Sequence, residues 1–243
     1  SRAMAFMYIA IVVVAAGAAP AAKLELVRAC ALCDRGFSAR PLDRDRIDKL
    51  VRELEGSPGA TSGHPTAGLD SAAPPDEDEA LSPSIVGLWE LLYASATDVS
   101  SLNANPFFAC GSIFQDIRSP PEIVNMIDVA PRALSILPPS AAAAVDTAFR
   151  LKVFTRAVVR SQTRVGLVFE SIGGAPLSVL GQTIGAAIDL PKLPLPLAAL
   201  SGIAAAGGEA GSSGPGYFDI TYLDEDMLII RQNAPGGYFV QSR

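Results

Sequence analysis

From Thr147 to Arg160 the chain reads TAFRLKVFTRAVVR, and no other stretch constrains the fold as tightly. Phe149, Leu151, Val153, Ala157 and Val159 fall on one face of a period-two pattern, and Arg150, Lys152, Arg156 and Arg160 on the other. Successive side chains on a strand point to opposite faces, so this pattern predicts a strand with an apolar face on a core and a basic face in solvent. The same period starts at Ser84. IVGLWELLYASAT alternates around Trp89, Leu91 and Tyr93, and GSIFQDI and EIVNMIDV follow, separated by RSPP. After the alternating strand come TRVGLVFES, YFDITYL, MLIIRQN and GYFVQS. About eight short strands joined by turns predict an antiparallel barrel or sandwich. A barrel is favoured because closure leaves no edge strand to protect. Residues 84–243 form this domain.

The segments before it have different periods. Residues 23–56 read as two helices. KLELVRACALC puts Leu24, Val27 and Ala31 on one stripe and Leu26, Cys30 and Cys33 on its neighbour. DRGFSARP breaks the pattern. LDRDRIDKLVRELEG then places Ile47, Leu50, Val51 and Leu54 on one face, with Asp43 as N-cap and Gly56 as the stop. Residues 57–83 are a Gly/Pro/Ser-rich, acidic linker with little to bury. Residues 1–22 are an apolar leader. Ala3–Ala22 carries no charge and ends in the small-residue run AAGAAPAA, as a cleavable signal or transit segment does; a retained anchor is the alternative. Residues 173–216 form an apolar, Pro- and Gly-rich insertion between strands. Leucines on a loop need something to cover them, so Leu190, Leu193, Leu195, Leu197 and Leu200 are the candidates for membrane or partner attachment.

The side-chain inventory offers little chemistry. Apolar residues make up 49% of the 243 positions, enough for a real core, and a net charge of −6 argues against a nucleic-acid partner. Cys30 and Cys33 form a lone CxxC in a helical pattern, which fits helix packing better than a redox dithiol and is too little for zinc. His64, the one histidine, lies in a Gly/Pro/Ser stretch that would orient a general base poorly. No phosphate loop, dinucleotide fingerprint or nucleophile elbow is present. The residues therefore predict neither an enzyme nor a metal site. Asp224, Glu225 and Asp226, between two strands, read first as turn chemistry, then as ion-pair partners of Arg231 or another strand's arginine.

Several pieces in order resemble the plastid lipid-associated protein family, the plastid fibrillins. KLELVRACALCDRGFSARPLDRDRIDKLVRELEG is similar to that family's opening helix, RG break and second helix. GLWELLYAS is similar to its first strand, and FQDI and IVNMIDV, with Asn125, to the next two. RVGLVFES and FDITYLDEDMLIIRQNAPGGYFV resemble its later strand and closing block. Gln232 stands where the family often has glycine, and APGG replaces a shorter turn.

The resemblance implies a mainly β, lipocalin-like antiparallel barrel with two N-terminal helices, in chloroplasts. It implies a noncatalytic protein, peripheral on the thylakoid membrane or plastoglobule, that binds or organises carotenoids, prenylquinones or other lipids. The alternative is a structural subunit docking on a thylakoid membrane complex, such as a photosystem-antenna assembly. No cofactor is required, although a carotenoid, quinone or lipid could be bound. An eight-stranded barrel can hold one small ligand, for which Trp89, Leu91, Tyr93, Phe114, Phe149, Leu151, Val153, Phe169 and Tyr222 are the candidate liners.

Overall fold

The alternating segment becomes the strand Ala148–Val159 in the computed structural model, which describes residues 20–61, 64–69, 83–96, 99, 102–184, 189–194, 216–233 and 236–243. In chain order the strands are β1 (Leu88–Ala94), β2 (Phe108–Ser119), β3 (Glu122–Pro131), β4 (Ala148–Val159) and β5 (Arg164–Val179). Then come two-residue β6 (Gln182–Thr183) and β7 (Leu193–Pro194), and β8 (Tyr217–Leu223), β9 (Met227–Gln232) and β10 (Tyr238–Ser242). The spatial order is β4-β3-β2-β1-β10-β9-β8-β5, and β4 pairs with β5, so eight antiparallel strands close into a barrel. Arg150, Lys152 and Arg156 face away from the interior and pair with Asp128, Asp189 and Glu170.

One half of the barrel is packed solid. Trp89, Ile117, Ile123, Ala157, Val165 and Leu228 fill it. Part of segment 57–83, expected to bury little, joins this plug: Leu69 is fully enclosed, and the Ile85 N–H donates to Pro65 O at 3.0 Å. Ala60 is also buried, and its carbonyl accepts from Leu223 N–H at 2.7 Å.

The helices α1 (20–31) and α2 (Pro41–Glu55) cover the outside of β1, β10, β9 and β8. Of the two stripes on α1, Leu26, Cys30 and Cys33 are buried while Leu24 is exposed. Residues 1–19 of the leader lie outside the described residues, and helix α1 already begins at residue 20. Ile47, Leu50, Val51 and Leu54 of α2 are buried as their spacing predicts, and Gly56 caps its end. The N-cap is Arg40 and not Asp43. Asp43 sits at N3 and accepts the Arg40 backbone N–H at 3.1 Å, so its carboxylate serves the helix start from inside the first turn. Between the helices, Asp34, Arg35 and Gly36 all have positive φ. This turn lays Arg35 beside Tyr93 as an isolated bridge, and the Arg35 guanidinium donates to the carbonyls of Cys110 and Gly111 on β2. Among the described residues no helix is long and apolar enough to cross a membrane.

The expected break at Gly173 is not a break. β5 runs on to Val179 and stays paired with β4. Gly173 and Gly174 signal close approach rather than a loop: a Cβ on Gly174 would come within 2.4 Å of the Phe149 ring. The proline-rich piece of the insertion also pairs, with Leu193 and Pro194 opposite Ile172 and Ser171. An outer position suits proline, which has no N–H to give to a further strand.

Candidate functional site

The half of the barrel away from the plug encloses a cavity of about 150 Å³. Strand direction fixes which end this is. β1, β3, β5 and β9 finish there, and β2, β4, β8 and β10 begin there. Val99 and Leu102, just after β1, border the cavity, as do Tyr217, Gln232 and Phe239 from the strand ends at this rim. Among the described residues β8 pairs with β5 through Gly166, Val165 and Arg164. Beyond them β5 continues beside the short β7 and β6.

Most of the lining is aliphatic or aromatic, with four amides set into it: Gln115, Asn125 and Gln241 within, and Gln232 at the rim. Gln115 of β2 stands opposite Asn125 of β3, and its Nε2 donates to Asn125 Oδ1 at 3.1 Å. Gln241 of β10 stands opposite Leu91 of β1. Gln115 and Gln241 are 7% and 5% exposed. Neither was foreseen as a liner. The signal was available: Ile113, Gln115 and Ile117 share one face of β2, and an amide inside an apolar stripe faces a core that ought to exclude it.

Of the foreseen liners, Leu91, Phe114, Val153 and Phe169 border the cavity. Phe114 borders the cavity, but its ring lies on the face opposite to Gln115, with the outward Arg150 guanidinium 5.0 Å from its centroid. Trp89 is inward but belongs to the plug. Leu151 shares the face of Val153 without bordering the cavity, and Phe149 lies against Gly174. Tyr93 and Tyr222 are on the outside, under the helices. The cause is the same for both tyrosines. Bulges between Leu91 and Tyr93 and between Ile220 and Tyr222 add a residue, which reverses the phase of the alternation. Among the attachment candidates, Leu190 and Leu193 are exposed. Leu195, Leu197 and Leu200 lie outside the described residues.

The acidic turn is structural, with an unforeseen partner. Asp224 Oδ1 accepts from the N–H groups of Asp226 and Met227 at 3.0 and 2.8 Å and closes the turn. Its other oxygen accepts from Lys23 Nζ and Tyr222 OH, each at 2.7 Å. Burial works against this carboxylate, but the hydrogen bonds from Lys23 and Tyr222 outweigh it and hold its pKa at about 2. Arg231 pairs instead with Glu55 of α2, in a two-pronged contact at 2.7 Å on each arm. Both ion pairs, with the bond from Tyr238 OH to Asp48, fasten the helices to the barrel. Burial, with Cys33 close by, pushes the Cys30 thiol up to about 12, which suits a packing residue and not a thiolate nucleophile. His64 is exposed beside Gln162. Among the described residues no three histidine, cysteine or acidic side chains gather as a metal site would require.

A family model described as PAP_fibrillin matches residues 20–242, nearly the whole chain. It takes in both helices and every strand of the barrel. No curated protein matches.

Proposed function

The chain belongs to the PAP/fibrillin family of plastid lipid-associated structural proteins, and from that premise we propose a noncatalytic binder whose barrel takes one end of an apolar plastid molecule from a lipid surface. The observation that carries this reading is an apolar cavity opening toward a rim of exposed apolar side chains. Phe107 is 74% exposed where the chain enters β2, Ile136 83% after β3, Leu180 68% after β5 and Leu193 61% on β7. Apolar surface left in water costs about 25 cal/mol per Å², so a lipid surface against this rim removes that cost. The contact would be with a thylakoid or plastoglobule surface. The size of the cavity narrows what enters. Sites that swallow a whole small molecule run from about 300 to 1,000 Å³, whereas a dry cavity of about 150 Å³ takes a benzene-sized ring. A carotenoid or prenylquinone would therefore insert a ring and leave its chain in lipid.

Trp89, the single tryptophan, lies in the plug beneath the cavity and reports on it. Titration of the full chain with decyl-plastoquinol, kept reduced, should quench its emission saturably. Flotation with vesicles of phosphatidylcholine and monogalactosyldiacylglycerol should carry the protein upward, and Phe107→Asp with Leu180→Asp should abolish flotation while quenching persists. No saturable quenching sinks the binding half of the reading. Flotation unchanged in the double variant sinks the rim. Binding to thylakoid membranes but not to vesicles would favour docking on a membrane protein complex.

A further inference from the structure

The cavity wall carries two acceptors with nothing to accept. Gln115 Oε1 and Gln241 Oε1 are both buried and have no hydrogen-bond partner among the described residues. Both side chains border the cavity. They reach it from different strands, Gln115 from β2 and Gln241 from β10, on the two flanks of β1. Gln115 is held by the bond from its Nε2 to Asn125 Oδ1, which fixes its amide in the wall. Buried amide groups are nearly always paired, because an unpaired one forfeits the hydrogen bond that it made to water. Two such oxygens on one apolar cavity ask for a donor within it.

We infer that the barrel selects apolar molecules whose inserted end carries a hydroxyl, phenolic or alcoholic, held by Gln115 and Gln241. This rests on the reading that the cavity binds an apolar ligand, and it names the group at the ligand's tip. An O–H donates to one amide oxygen and keeps its own lone pairs for an amide N–H if a side chain turns over. A ketone, ester or ether oxygen is acceptor only and would meet acceptors. A plain hydrocarbon fills the space and leaves both oxygens unpaired. The inserted ring is thus read in a hydroxylated or reduced form in preference to its carbonyl form.

Three probes of one skeleton test this: thymol, thymol methyl ether and p-cymene, titrated against the full chain with Trp89 emission as the signal. Thymol should bind on the order of tenfold more tightly than either of the others, the scale of one hydrogen bond to an otherwise unpaired buried group. Gln115→Leu and Gln241→Leu should each shrink that preference to within about threefold, while p-cymene binds at least as well as before. A melting temperature at or above that of the parent shows that the variants fold. Equal binding of thymol and p-cymene by the parent overturns the hydroxyl preference and leaves apolar binding standing. Failure of all three probes to bind overturns both. A preference that survives both leucine variants places the hydroxyl elsewhere and overturns the role of the two glutamines.

Discussion

Trp89 sits in the packed half of the barrel. It is wholly buried, its Nε1–H donates to Ile85 O at 2.8 Å, and the Arg243 guanidinium sits 4.3 Å from its ring centroid. Trp89→Ala should cost about 3–5 kcal/mol, the range for deleting a buried large aromatic. Urea denaturation measures it, and an unchanged midpoint would refute the plug. Asp224 supports a second prediction at this scale, in pH. Its folded pKa of about 2 lies below the ordinary 3.8. The depressed value stabilises the folded state in full above the ordinary pKa, and that contribution is lost as pH falls from about 4 toward 2. Asp224→Asn should therefore lower stability at pH 6, and the gap between variant and parent should close by about pH 2. A gap that stays constant across that range means that the carboxylate does not titrate against Lys23 and Tyr222.

Among the elements, the two-helix cover depends on one tight turn. Gly36 has φ of +99°, and a Cβ there would meet Ala94 O at 2.5 Å. Left-handed backbone costs a residue other than glycine about 1–2 kcal/mol, and the clash adds to it. Gly36→Ala should thus destabilise by more than about 2 kcal/mol and loosen α1 and α2 ahead of the barrel. Cys30 and Cys33 lie beneath that cover. Their alkylation rate under native conditions should rise in the variant, and a rate equal to that of the parent would show that the turn does not govern docking. The helices were legible from their spacing. The turn was legible only as a break, because its close approach to the end of β1 involves residues nearly sixty positions away.

For the molecule as a whole, closure comes late in the chain. β10 lies between β1 and β9, so the first strand finds one of its two partners only in the last residues, with Leu91 opposite Gln241 and Glu90 opposite Ser242. Ending the chain at Gly237 would leave β1 and β9 with open edges and remove Gln241 and Val240 from the interior and the helix-facing surface. The truncated protein should lose its cooperative urea transition, read by near-ultraviolet circular dichroism. A transition as steep as that of the full chain would mean that the sheet closes without β10.

The sequence by itself determined the strands, their number and the helix faces, because period and turn residues are local and each strand carries its own alternation. It determined the family, through short blocks in a set order that the match over residues 20–242 bears out. The candidate site was half legible. Leu91, Val153 and Phe169 lie on plain alternation and border the cavity. Tyr93 and Tyr222 did not follow it, since a bulge is set by the partner strand and leaves no mark in a single strand's pattern. Tertiary structure alone decided that Gln115 and Gln241 share one wall, that Lys23 reaches Asp224 and that Leu69 helps to seal one end. Each of these joins residues far apart in the chain, and a local pattern holds no information about which distant side chains closure brings together.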